Sequence, residues 1–437
     1  MKASKIFDEL VDKLGRSIER LPDQRTGENK RYEIKDAAVS AFGIFFTQSR
    51  SFLAYQRIME KAKGRSNVQN LFGAERIPSD AQVRNLLDEQ DPEQLYGVFK
   101  KGHELLAASG GMAAFSSYAG QYLISCDGTG TISSQNIHCP HCSRRELANG
   151  ESLYLHYAIL PVIVKAGENR VLVLEPEFIS PQDGHEKQDC ERAAIKRWVK
   201  RNAGHFPSYK YTLLGDDLYA CQPICSLFLE NAFNFILVCK PNSHVALYEQ
   251  VEFLDKLDGV EQLRLRHWNG RSYESHQYRW VNGVPLRRGE DALLVNWCEI
   301  TSVREDTGQQ LYHNAFITNH ELNRSNVVPI VRDGRARWKS ENETNNVLKT
   351  KGYHLEHNFG HGQQYLANFM LTLNLLAFLF HTLLDLLDEQ YHAVRQELVA
   401  RQDFFNDLRA LLRYMLFDNW SHLMHFMLVS LELVPDT

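Results

Sequence analysis

Between residues 120 and 240 the chain alternates short apolar runs with longer amphipathic stretches, and that alternation constrains its fold more than any other feature. Tyr122–Cys126 and Lys210–Gly215 are apolar runs of strand length, and each stops at an aspartate, Asp127 and Asp216. Leu153–Lys165 and Arg170–Glu175 read as strands flanking the turn Ala166-Gly167, and Phe233–Cys239 reads as a further strand. Gln188–Asn202 and Cys221–Asn231 read as helices. Strands that alternate with helices predict a sheet with helices on its faces, because each apolar face has to be covered.

The flanking regions differ. Residues 1–110 read as helical: Phe7, Leu10, Val11, Leu14 and Ile18 recur at spacings of three and four, a second run covers Ala37–Met59, and a third starts at the N-cap Ser79. Gly110-Gly111 marks a boundary, so 111–249 is expected to be the first part of an α/β domain. Residues 250–320 read as a β-rich insertion. In it Tyr273–Trp280 alternates polar and apolar residues, Asn269-Gly270 and Asn282-Gly283 fit type I′ hairpin turns, and Ala292–Thr301 and Leu311–Thr318 complete an antiparallel region. Residues 321–362 return to the α/β domain, and 363–437 read as helices.

A chain of 437 residues exceeds one ordinary domain. With 43% hydrophobic and 24% charged residues it has the material for a sizeable core, which excludes a disordered chain. The net charge of −5 weighs against a protein that coats nucleic acid. Locally the balance reverses: Arg324, Arg332, Arg335, Arg337, Lys339, Lys349 and Lys351 face only Asp333, Glu341 and Glu343 over the same stretch, which allows a basic groove. Eight cysteines are too few for a disulfide scaffold, and Met1–Lys13 reads as a charged amphipathic helix, not a secretory leader, so a reducing, cytoplasmic compartment is expected. The most apolar stretch, Tyr365–Leu387, carries Asn368, Asn374, His381 and Asp385, and is therefore read as a core helix with no membrane partner.

Carboxylates at the C-terminal ends of strands face the ligand crevice of an α/β sheet. Asp127 and Asp216 are so placed, and a third acid, Glu341 or Glu343, lies on a predicted helix after the insertion. Three convergent carboxylates suit Mg²⁺, an oxygen-seeking ion, and a pair of such ions suits in-line displacement at phosphorus. By spacing alone each acid reads more readily as a helix cap or turn residue than as a ligand.

The segment Arg335-Ala-Arg-Trp-Lys-Ser-Glu341 through Lys349 resembles the third-acid helix of bacterial insertion-sequence DDE transposases of the Y-R-E-K signature group. Leu214-Gly-Asp216-Asp-Leu-Tyr219 resembles their second-Asp motif, and Ser125-Cys-Asp127-Gly-Thr their first. Pro176–Gly184, Lys187–Glu191 and Gly352–Gly362 resemble further segments of one branch, so the likeness runs from about 120 to 430. The resemblance implies a ribonuclease-H-like mixed sheet flanked by helices. It implies Asp127, Asp216 and Glu341 as catalytic ligands of two Mg²⁺ or Mn²⁺ ions, and Arg337 as a phosphate contact. It further implies double-stranded DNA as substrate and a homodimer on paired ends. The reaction implied is metal-dependent strand cleavage and strand transfer; a catalytically inactive DNA-binding descendant and a metal-dependent nuclease are the alternatives.

Two positions depart from the pattern. The signature Tyr falls at Gly334, and the signature Lys falls at Leu348, one residue before Lys349. That offset rotates a helical side chain by about 100°, so the helix is distorted, or Lys349 contacts phosphate differently, or Glu343 is the ligand. Glu341 is preferred for its local spacing, and Asp216 is preferred to Asp217 because Tyr219 follows three residues later. Lys339 and Lys349 are expected on DNA, as are Trp268 and Trp280, which with Tyr278, Arg264, Arg266, Arg271 and Arg279 alternate basic and aromatic residues suited to an unpaired base. Lys61, Lys63, Arg65 and Arg76 fit end recognition by the N-terminal helices as readily as a plain helical bundle. Cys139-Pro-His-Cys142 offers two ligands for a structural zinc, with His138, His156, His185 and Cys190 as candidates for the others. His354, His357 and His361 form a separate histidine cluster that suits metal, phosphate or plain loop hydrogen bonds.

Overall fold

The computed structural model describes residues 5–27, 30–60, 66–181, 189–357 and 359–435. Lys61, Lys63, Arg65 and His185 lie outside these. Thirteen strands are described, in chain order β1 (Tyr122–Ser125), β2 (Gly128–Ser134), β3 (Ser143–Glu146), β4 (Ser152–Ile159), β5 (Val162–Val164), β6 (Leu172–Val173), β7 (Glu177–Ile179), β8 (Tyr211–Gly215), β9 (Asn234–Val238), β10 (Glu261–Trp268), β11 (Tyr273–Pro285), β12 (Leu294–Arg304) and β13 (Gln310–Thr318). The molecule is a mixed α/β structure with helical regions at both ends, as expected.

The main sheet has nine strands in the order β10-β11-β12-β13-β9-β8-β1-β5-β6. β1, β8 and β9 run parallel, and the pairs on either side are antiparallel. Every residue of β8 and β9 is buried, the signature of strands covered on both faces. The helices Gln222–Glu230 and Val327–Arg335 pack on this sheet.

The apolar run Leu153–Lys165 is two strands in two sheets. β4 belongs to a smaller sheet, β2-β4-β3, with β7 added on β4, whereas β5 belongs to the main one. The pairing register is nevertheless unbroken: Ser125 faces Val162 in the main sheet, and Gly128 faces Ile159 in the small one. A Leu160 N–H to Asp127 carbonyl bond of 3.0 Å bridges the two. One long antiparallel pairing, β1–β2 against β4–β5, therefore bends between sheets at Cys126-Asp127 and Leu160-Pro161. Proline cannot donate to a ladder, which suits Pro161 to the corner.

The β-rich region is not a body apart. β13 pairs with β9, so β10–β13 continue the main sheet. Neither Asn-Gly pair makes a two-residue turn. Asn269–Ser272 form a four-residue connection, and Asn282-Gly283 sit inside β11 as a bulge, Gly283 taking φ 72° while the register shifts between Val281 and Val284.

The helices before residue 110 and those after 363 share one core. Phe7 stacks on Trp420 at 4.4 Å between ring centroids, and Phe46 stacks on His381 at 4.2 Å. The central Leu366–Leu387 helix touches Ile6–Ile18, Ile34–Phe46 and Tyr96–Ala108 as well as β6. Gly102 lets one neighbour approach: a Cβ there would meet Leu383 Cδ1 at 2.9 Å. Leu366–Leu387 is long and apolar enough to cross a bilayer, yet it is mostly buried within the protein. Its polar side chains are bonded: Asn374 donates to the Tyr353 carbonyl, and His381 meets the Phe46 carbonyl and the Tyr391 hydroxyl.

Candidate metal centres

β1 and β8 are neighbours, parallel and in register with Ser125 opposite Leu214. Asp127 and Asp216 each lie two residues further on, so they leave adjacent strands, spaced about 4.8 Å apart, at the same end of the sheet. The Asp216 carboxylate accepts from the Leu218 N–H at 2.9 Å, a turn bond that leaves its other oxygen open. Asp217 is committed elsewhere: its Oδ1 accepts from the Lys240 N–H at 2.7 Å and lies 3.3 Å from His244 Nε2.

Ser125 Oγ donates to the Arg337 carbonyl at 3.3 Å and ties the segment carrying Glu341 to β1. Glu341 is exposed, and its charge bears on Asp127. Burial is the main influence pushing the Asp127 carboxyl up, to about 6. Arg337 opposes this, and Glu191, Asp216 and Glu341 add to it. Glu343, by contrast, lines a cavity of about 320 Å³ with Arg170, Tyr353, His381 and Asp385, which none of Asp127, Asp216 and Glu341 lines.

Glu191 is a fourth carboxylate that the sequence reading did not assign. It opens the Glu191–Asn202 helix, accepts from the Tyr219 hydroxyl at 2.6 Å, and bonds the Gly128 N–H. Gly128 has to be glycine for this approach, since a Cβ would lie 2.7 Å from Glu191 Oε2. Burial foremost, and Asp216 further, push the Glu191 carboxyl up. The only sequence cue was the segment Lys187–Glu191, which carries no chemistry of its own.

The helix bearing Glu341 is irregular. Ser340–Asn345 is a π-helix that continues into the α-helix Asn346–Thr350. A π turn holds about one residue more than an α turn. Eight residues from Glu341 to Lys349 therefore sweep about the rotation of seven in an α-helix, roughly 700°. Of the alternatives for Lys349, the distorted helix is the one observed, and the Lys349 ammonium pairs with Glu356 at 2.9 Å.

Two of the expected DNA contacts are corrected. Lys339 is 2% exposed, with its Nζ 4.8 Å from the Trp338 ring centroid and 3.9 Å from Glu343. Trp280 is 1% exposed, because its side of β11 faces the core. Neither side chain reaches a solvent-borne ligand. Arg337 and Lys349 are half-buried. Trp268 is exposed at the far end of β10, where its ring meets Tyr273 at 4.9 Å and Arg266 lies over Tyr273 at 3.6 Å. Arg279 is neutralised by Asp255 and Glu299. Trp338, not assigned from sequence, is exposed beside Arg337.

A second centre is built from Cys139, Cys142, His156 and His361, all buried, whose ligand atoms lie within 4.8 Å of one another. It is able to hold a metal ion such as zinc. The cysteines come from the turn before β3, His156 from β4, and His361 from the loop ahead of the Leu366–Leu387 helix. The sulfurs are 3.9 Å apart. His156 Nε2 lies 3.5 and 3.3 Å from Cys139 and Cys142, and His361 Nε2 lies 3.2 Å from Cys142 and 3.1 Å from His156 Nε2. Of the other candidates, His138 stacks on Tyr154 and Cys190 is exposed at a helix cap. His361 had been read only with His354 and His357, since nothing in the sequence links it to a cysteine pair more than two hundred residues away.

No protein-family model and no curated protein matches this sequence.

Proposed function

We propose that the chain is a DDE-type DNA transposase, catalysing metal-dependent strand cleavage and strand transfer at the ends of an insertion sequence. The observation that carries this reading is the convergence of Asp127 and Asp216, on adjacent parallel strands, with Glu341, whose charge bears on Asp127. The strand run β6-β5-β1-β8-β9, antiparallel then parallel, supports a ribonuclease-H-like domain. The donor set also fits Mg²⁺ or Mn²⁺: it is all oxygen, and beyond the burial that mainly raises Asp127, the repulsion that Glu191, Asp216 and Glu341 add is what a divalent cation relieves. When bound, a pair of such ions supplies activation of the attacking oxygen and stabilisation of the leaving one.

The chain's own residues position and orient. Asp127, Asp216 and Glu341 are the metal ligands. Glu191, fixed by Tyr219 and the Gly128 N–H, lies within electrostatic reach of Asp127 and Asp216. Arg337 takes a phosphate beside Asp127, and Lys349, turned by the π segment toward the Glu341 side, exchanges Glu356 for another. Trp268 and Tyr273 at the sheet tip offer stacking faces for an unpaired base. The substrate is double-stranded DNA, and a homodimer is the working form, since two ends are cut together.

The test is cleavage and joining of the DNA that flanks the coding sequence, in Mg²⁺, by Asp127→Ala, Asp216→Ala and Glu341→Ala, with Asp217→Ala and Glu343→Ala as comparisons. Loss of cleavage in the first three with DNA binding retained is expected, while the last two stay active. Full activity of Glu341→Ala sinks the ligand assignment. Cleavage that never joins ends makes the protein a nuclease instead.

A further inference from the structure

The Cys139, Cys142, His156 and His361 cluster has the donors of a metal site. The Gly362 carbonyl can only accept, so the proton of His361 sits on Nδ1, 2.9 Å away, and Nε2 presents a lone pair. His156 Nδ1 lies 3.0 Å from Asn368 Oδ1, which places its proton there in the same way. Two imidazole lone pairs then face each other at 3.1 Å with two sulfurs around them and no proton between. Thiol protons can satisfy the lone pairs one by one, but a cation at the centre is held by all four groups at once and relieves the close contact of the two nitrogens.

The distances fit one ion. Tetrahedral zinc with Zn–S near 2.3 Å and Zn–N near 2.05 Å requires edges of about 3.8 Å between sulfurs, about 3.6 Å from sulfur to nitrogen and about 3.3 Å between nitrogens. The sulfur–sulfur edge is 3.9 Å, three of the four sulfur–nitrogen edges are 3.2 to 3.5 Å with the fourth, Cys139 to His361, within 4.8 Å, and the nitrogen–nitrogen edge is 3.1 Å. A disulfide needs sulfurs about 2.05 Å apart, so the cysteines are not bonded to each other. Both thiols and both imidazoles are buried, leaving no open coordination position for a substrate.

We infer that these four residues bind one structural Zn²⁺ that pins the small sheet, through β4 and the turn before β3, to the loop leading into the Leu366–Leu387 helix. The flanking glycines belong to this device. Gly362 takes φ 71°, and a side chain on it would collide with Asp88, whose carboxylate accepts the Gln363, Gln364 and Leu366 N–H groups at the helix start. The ion closes the same turn from the other side through His361. This inference is independent of the acidic site and of any DNA chemistry.

Metal analysis of the purified full-length protein is expected to give about one zinc per chain. Replacement by Co²⁺ is expected to give the intense visible bands of a tetrahedral ion together with a thiolate-to-metal absorption. The carboxylate site cannot produce that absorption, so the two centres are told apart. Cys142→Ser and His361→Gln should each lower zinc occupancy at least about tenfold, as loss of a ligand does, while Cys190→Ser and His138→Gln should leave it unchanged. Zinc below about a tenth of an equivalent in protein with free thiols, with no thiolate absorption on adding Co²⁺ to the wild-type chain, overturns the proposal whether or not the variants fold.

Discussion

Gly334 stands where the resembled signature has a tyrosine, and the packing leaves no room for any side chain. A Cβ there would lie 2.9 Å from Ile236 Cγ2 and from the Phe316 ring, both of the sheet on which the Val327–Arg335 helix lies. Gly→Ala in a helix interior ordinarily gains about 1 kcal/mol from propensity. Here overpacking, about 1–3 kcal/mol, works against it and wins. Gly334→Ala is expected to lower stability by about 1 kcal/mol net, read as a lower urea midpoint at constant slope; a raised midpoint would show that the helix simply shifts. Among single residues, Asp127 and Asp216 were legible because each ends an apolar run. His361 and Glu191 were not, because a ligand or a neighbouring carboxylate supplied by distant chain leaves no local pattern.

At the level of elements, the π-helix Ser340–Asn345 reconciles a spacing that no regular helix accommodates. Deleting Asn342 would restore α periodicity and swing Glu341 by about 100° relative to Asn346–Thr350. The shortened protein is expected to melt no lower than wild type, yet to cleave DNA about a hundredfold more slowly, the scale of a misplaced catalytic group. Unchanged cleavage would mean that the extra residue has no positional role. Strands with strong apolar character, β1, β8 and β9, were legible almost to the residue. The corner at Leu160-Pro161 was hidden inside a continuous apolar run. β2 begins Gly-Thr-Gly-Thr, which carries little strand signal, and the Asn282-Gly283 bulge has the composition of a turn.

Across the whole molecule, His381 joins the two helical ends. Its Nε2 donates to the Phe46 carbonyl at 2.8 Å, and its Nδ1 accepts from the Tyr391 hydroxyl at 2.9 Å. Burial, helped by Arg401 and Arg395 and opposed by the Phe46 bond, draws its pKa down to about 3. An unfolded histidine titrates near 6.5, so as acid is added the unfolded chain takes the proton first. The stability present above pH 6.5 is therefore lost as pH falls toward 3, at about 1.4 kcal/mol per pH unit from this group. Denaturant midpoints measured from pH 7 to pH 4 should fall less steeply for His381→Gln than for wild type, and parallel curves would rule the histidine out. The helical ends were each legible by periodicity, but their shared core was not, because nothing local pairs Phe7 with Trp420.

The bent antiparallel pairing relates the two centres in another way. Asp127 and His156 sit on its opposite sides, separated along the ladder by a bulge between Gly130 and Ile132. Loss of the bulged residue would turn the β2 side chains beyond it to the wrong face of the small sheet and leave the β1–β5 pairing in place. The pairing opposite His156 thus depends on one extra residue that the pairing beside Asp127 does not need, and a slip there would spoil the thiolate-imidazole centre while the acidic one stays in place.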